Sequence, residues 1–155
     1  MKSVASLAGL TLLLVGVAAC QSETFAPQGA DTGGVLGLAA VECKGQTPDV
    51  ICAGGPCDGD DTGQVILGSE GDDHIDGGTG DDLVCARGGD DIVEGRDGAD
   101  RISLDAGADQ GRGGGGNDFI EGGGGDDHLV GGLGFDTCRG EEGTDFFTDC
   151  EVVRQ

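Results

Sequence analysis

A glycine recurs every nine residues through the middle of this chain, and an aspartate follows two places behind it each time. Set in frames of nine from Gly68, the sequence reads GSEGDDHID, GGTGDDLVC, ARGGDDIVE, GRDGADRIS, LDAGADQGR, GGGGNDFIE, GGGGDDHLV, GGLGFDTCR and GEEGTDFFT. The fourth column is Gly in all nine, from Gly71 to Gly143, and the sixth is Asp in all nine: Asp73, Asp82, Asp91, Asp100, Asp109, Asp118, Asp127, Asp136 and Asp145. The eighth is apolar in eight of the nine: Ile75, Val84, Val93, Ile102, Ile120, Leu129, Cys138 and Phe147, with Gly111 the exception. With 35 Gly in 155 residues, chance alone fills the glycine column on the order of once in a million chains. An acidic, glycine-rich disordered segment has no reason to hold such a phase. The chain has no Trp, no Tyr and five Phe, too few large side chains for a conventional two-layer core. Stacked identical units are the architecture left.

The unit resembles the RTX, or haemolysin-type, calcium-binding repeat, GGxGxDxUx with U a large apolar residue, and the likeness runs over 68–148 without an insertion. It implies an all-β fold, a parallel β-roll (β-solenoid) of nine nonapeptide repeats with disulfide-braced caps. The chemistry of the unit agrees. Gly at positions one, two and four permits tight turning with carbonyls aimed inward, and calcium, a hard cation, takes six to eight oxygens from carbonyls and carboxylates. The last three residues of each unit form a short strand whose middle side chain points inside. Two units make a coil, so Val84, Ile102, Ile120 and Cys138 are expected under one sheet and Ile75, Val93, Leu129 and Phe147 under the other. That core is thin for so much ordered glycine, and bound metal is expected to contribute the difference.

The resemblance further implies ions between loops n and n+2, held by the sixth-position Asp and by loop carbonyls. Nine loops give up to about seven calcium sites: 73/91, 91/109, 109/127 and 127/145 on one side, 82/100, 100/118 and 118/136 on the other. Loop five puts Leu104 and Asp105 in place of the first two glycines and carries Gly111 in its strand, so sites using Asp109 are expected to be compromised. Asp82, Asp118, Asp127 and Asp136 lie in loops that keep Gly-Gly and are the firmest candidates.

Thirty Asp plus Glu against eight Lys plus Arg give a formal charge of −22, which argues against nucleic acid as a partner and for bound cations. Asp72, Asp81, Asp90, Asn117 and Asp126, at position five, recur with the repeat and read as solvated or affinity-tuning groups rather than catalytic pairs. His74 and His128 fall three coils apart, about 14 Å at sheet spacing, too far to share a metal. No GxSxG, HExxH or P-loop pattern occurs, and a non-enzymatic protein is expected.

Lys2 and the apolar run Leu7–Val17 read as a signal peptide over 1–19, ending in Val17-Ala18-Ala19-Cys20, which resembles a bacterial lipobox. Cys20 would then be lipidated and anchor the chain in a membrane; the alternative is a plain secretory signal with Cys20 an ordinary thiol. Gln21 after the Cys favours the outer membrane, by resemblance to Gram-negative lipoproteins, and so a cell-envelope location, exterior or periplasmic, or extracellular release if the lipobox is unused. Residues 20–41 read as a flexible tether, 42–67 as a Cys-rich N-terminal cap and 149–155 as a C-terminal cap. Cys43, Cys52, Cys57, Cys85, Cys138 and Cys150 form an even set suited to disulfides in an oxidising compartment, with a zinc site the rival. Fifteen connectivities are open; proximity favours Cys138 with Cys150, Cys43 with Cys52 and Cys57 with Cys85. The expected role is calcium binding at the cell surface with folding on calcium; the alternative is an adhesion or envelope-scaffold protein in which calcium is purely structural, its protein partner unknown.

Overall fold

The computed structural model describes residues 42–155, where thirteen strands and no helix occur. The signal peptide, Cys20 and the tether over 20–41 lie outside the described residues. One sheet takes β1 (Val50–Ile51), β3 (Val65–Leu67), β5 (Leu83–Cys85), β7 (Arg101–Ala106), β9 (Phe119–Gly124), β11 (Thr137–Glu142) and β13 (Val152–Arg154), in that order. The other takes β2 (Gly55–Asp58), β4 (Asp73–Asp76), β6 (Ile92–Asp97), β8 (Gln110–Gly115), β10 (His128–Leu133) and β12 (Phe146–Thr148). Every pairing is parallel, and the partners run Leu83, Arg101, Phe119, Thr137 in steps of 18 residues. This is the expected β-roll: consecutive nonapeptides alternate between two facing sheets. Both sheets reach beyond 68–148, taking in β1, β2 and β3 before it and β13 after it.

Alternation along each strand puts the eighth column inside. Val84, Ile102, Ile120 and Cys138 line one sheet and Ile75, Val93 and Leu129 the other, all buried, with Phe147 half-buried at the end. Gly111 would leave a gap in the second row, but Leu104 fills it. A Cβ on Gly111 would lie 2.9 Å from a Leu104 methyl and 3.1 Å from Ile120, and Leu104 is fully buried. The two irregularities of repeat five therefore fit each other.

A second, smaller cluster of Cys43, Val65, Leu67, Cys85 and Leu83 lies on the other side of the first sheet. Ile66 and Val84 point into the core, so their neighbours point away from it. A tight turn closed by the Cys43–Gln46 bridge covers this outer patch, and Lys44 reaches Glu121 at 3.2 Å.

Sidedness decides the disulfides. Cys43 and Cys85 belong to the outer cluster and Cys52 and Cys57 to the inner core, so each bonds its companion: Cys43 with Cys85 and Cys52 with Cys57. The pairings favoured from proximity, Cys43 with Cys52 and Cys57 with Cys85, are wrong because each would join a cysteine of the inner core to one of the outer cluster. Cys138 does bond Cys150, at the C-terminal end. All six described cysteines are consumed in this way, leaving no thiolate for the rival zinc site.

Candidate metal centre

Each sixth-position Asp sits at the point where a loop enters a strand, and the carbonyls of Asp82, Asp91, Asp100, Asp109, Asp118, Asp127 and Asp136 accept from the coil that follows, as Asp82 does from Arg101 N–H at 2.8 Å. The position-four glycines make this stacking possible. Gly98, Gly107, Gly116, Gly125, Gly134 and Gly143 all have positive φ, and a side chain on any of them would collide with the carbonyl of the glycine one coil earlier. Loops therefore stack in register, and the aspartates stack with them.

The result is a ladder of seven rungs. The backbone N–H of each Asp donates to Oδ1 of the Asp 18 residues on: 73 to 91, 82 to 100, 91 to 109, 100 to 118, 109 to 127, 118 to 136 and 127 to 145, at 2.7–3.1 Å. These are the same seven pairs that the repeat register implied. All nine aspartates are buried, none more than 8% exposed. In eight of them Oδ2 has no hydrogen-bond partner; Asp73 is turned over, with Oδ2 satisfied by Ser69 at 2.6 Å and Oδ1 unpaired.

A buried carboxylate oxygen without a partner carries a desolvation penalty of several kcal/mol, which protonation or a cation relieves. Burial pushes the carboxyls of Asp82, Asp91, Asp100 and Asp118 up to about 6 and that of Asp109 to about 7, against the pull of the backbone hydrogen bond each accepts. Asp127 is raised for the same reason.

Main-chain carbonyls lie beside several of these orphaned oxygens. A Cβ on Gly77 would lie 2.8 Å from Asp82 Oδ2 and 2.8 Å from the Gly95 carbonyl, so both oxygens border the space that glycine leaves. Gly95 and Gly122 stand in the same relation to Asp100 with Gly113, and to Asp127 with Gly140. Among the described residues no group of three or more His, Cys, Asp or Glu side chains could hold a metal. Where the donors are seen together they are a carboxylate and a neighbouring main-chain carbonyl, both hard oxygens, and such donors suit calcium rather than zinc.

The profile of the RTX calcium-binding nonapeptide repeat matches in four overlapping copies, at residues 58–93, 86–111, 105–138 and 112–147, more than half of the chain. The chain belongs to that family. No curated protein and no solved structure matches it.

Within this RTX roll, position five forms a second ladder on the loop surface. Asp72, Asp81, Asp90, Asn117 and Asp126 each accept through Oδ1 the N–H of the residue 18 places on, at 2.8–3.0 Å. Asn serves as well as Asp there, because only an acceptor is required. Asp109 has the same rung, burial and orphaned oxygen as its neighbours, so the irregular loop five leaves its carboxylate in line. His74 on β4 and His128 on β10 are exposed, with β6 and β8 between them.

Sequence reasoning missed two members of the RTX ladder. Gln64 donates its N–H to Asp82 Oδ1 at 2.8 Å, and Asp136 donates its N–H to Glu151 Oε2 at 2.6 Å. Gln64 was within reach of the register, 18 residues before Asp82, but its amide breaks the Asp column. Glu151 was not, since it lies 15 residues after Asp136 and outside the period.

Proposed function

We propose that this chain is a non-enzymatic calcium-binding module of the cell envelope, tethered through Cys20, whose roll becomes fully ordered when calcium loads the loops. The observation that carries this reading is the row of nine buried, unpartnered carboxylate oxygens. A chain of net charge −22 has no reason to bury so many bare acceptors unless cations meet them. In the loaded state Asp82, Asp100, Asp118 and Asp136 hold ions along one side and Asp73, Asp91, Asp109, Asp127 and Asp145 along the other, with loop carbonyls completing each shell. Bound calcium supplies the positive charge that neutralises the aspartates; the residues supply oxygens and fixed spacing.

Three disulfides support an oxidising compartment, and extracellular calcium modules typically bind at about 10⁻⁴–10⁻³ M. Far-UV circular dichroism of the oxidised protein, in calcium and then in excess chelator, tests the metal dependence. Loss of the β signal on chelation is expected, and an unchanged spectrum refutes it. Metabolic labelling with a fatty acid tests the anchor: incorporation is expected in the unaltered chain and absent in Cys20→Ala.

A further inference from the structure

The roll does not stop where the nonapeptides stop. Val152 and Val153 pair with Thr137 and Cys138 as β13 adds to β11, so a tenth half-coil follows the ninth repeat. Its loop is three residues short, because the partners lie 15 residues apart instead of 18. Asp149 nevertheless takes the place of a first-position residue. Its carbonyl accepts from Gly132 N–H at 3.2 Å, and a Cβ on Gly131 would run into it. Glu151 takes the place of the sixth-position Asp: Oε2 accepts the Asp136 N–H at 2.6 Å. The extra methylene of glutamate lets its carboxylate reach a position that the shortened loop denies to an aspartate.

Asp136 is fully buried and its Oδ2 has no partner. The point where a Gly131 Cβ would sit is 2.7 Å from that oxygen and closer still to the Asp149 carbonyl, so the two oxygens face one small gap. Gly77, Gly95 and Gly122 show the same arrangement beside the interior aspartates. The N-terminal end differs. Gln64 stands in the Asp column there, carries no charge, and spends its side-chain oxygen on the Asp60 N–H at 2.8 Å.

We propose that Asp136 Oδ2, the Asp149 carbonyl and the Glu151 carboxylate form a further calcium site, one half-coil beyond the seven that the repeat register implies. It rests on the calcium reading of the interior repeats. The Cys138–Cys150 disulfide holds this short loop closed beside it. Calcium loading is thus asymmetric: it extends past the repeats at the C-terminal end and is blocked by a neutral amide at the N-terminal end.

Calorimetric titration of the oxidised full chain and of Glu151→Gln tests it, with Glu142→Gln, an exposed glutamate on β11, as control. Glutamine keeps an acceptor for the Asp136 N–H and removes only the charge. The expected result is one fewer calcium ion per chain in Glu151→Gln and no change in Glu142→Gln. Equal stoichiometry and affinity in Glu151→Gln and the unaltered chain overturns the site. An unaltered chain that binds no calcium overturns the calcium reading itself, a separate outcome. Should Glu151→Gln fail to reach the loaded dichroism spectrum, an anomalous difference map from calcium-grown crystals of the unaltered chain decides. A peak between Asp136 Oδ2 and the Asp149 carbonyl supports the site, and interior peaks without it overturn it.

Discussion

At Gly116 the backbone φ is 138°, and the Gly98 carbonyl of the preceding coil occupies the space a side chain would need. Gly124, eight residues on, has only the Asp105 carbonyl at 4.0 Å. Gly116→Ala is therefore expected to lower calcium-loaded stability by about 3 kcal/mol or more, through backbone strain and a displaced loop, while Gly124→Ala costs at most about 1 kcal/mol. Denaturation midpoints in saturating calcium check both. The buried aspartates invite a test whose sign depends on the metal. Asp118→Asn keeps an oxygen to accept the Asp100 N–H, a 2.9 Å bond, but removes the charge that burial penalises. In chelator the variant is expected to be more stable than the unaltered chain. In calcium it is expected to be less stable, by about 1–3 kcal/mol, for loss of a charged ligand. The same sign in both conditions would contradict a metal role for Asp118.

Strand by strand, the period made most of the roll readable. A step of nine assigns alternate sheets, a step of 18 sets the neighbours, and alternation sets the inner row, so the rungs from Asp73 to Asp145 follow from counting. Counting fails where the chain compensates across space. Leu104 and Gly111 look like two separate defects of repeat five, and only their packing shows that one side chain replaces another. Leu104→Gly is expected to open a cavity costing about 3 kcal/mol. Gly111→Val alone is expected to clash with the Leu104 methyl and destabilise. The double variant returns both positions to the repeat pattern and should recover most of the loss. A double-mutant cycle in calcium measures this coupling, and additive losses would refute it. Proximity found Cys138–Cys150 but mispaired the four N-terminal cysteines for a related reason: nearness along the chain says nothing about which side of a sheet a cysteine faces. Glu151 was hidden by a three-residue deletion that leaves the strand pairing intact while breaking the period.

For the molecule as a whole, opposing terms set a narrow stability. Two rows of aliphatic side chains and three disulfides favour the roll; ordered glycine and a charge of −22 oppose it. Cys43–Cys85 spans 42 residues and staples the N-terminal turn to the outer sheet face, whereas Cys52–Cys57 spans five. By the chain-entropy account, removing the first pair as serines costs about 4 kcal/mol and removing the second about 2. Protons compete with calcium for the aspartate rows. Folded-state carboxyls at about 6 to 7, against an ordinary 3.8, bind protons more tightly than the unfolded chain does. Their contribution to metal-free stability is thus complete below about pH 4 and lost as pH rises through 6 to 7. The metal-free chain is accordingly expected to gain β-sheet dichroism as pH falls from 8 to about 5. Calcium binds the ionised form, so loading at pH 6.5 should release more protons than loading at pH 8, which calorimetry in buffers of different ionisation enthalpy would measure. A metal-free chain that instead loses structure on acidification to about pH 5 would mean that the buried carboxylates are paired in solution, and the case for a calcium-filled ladder would fall with that result.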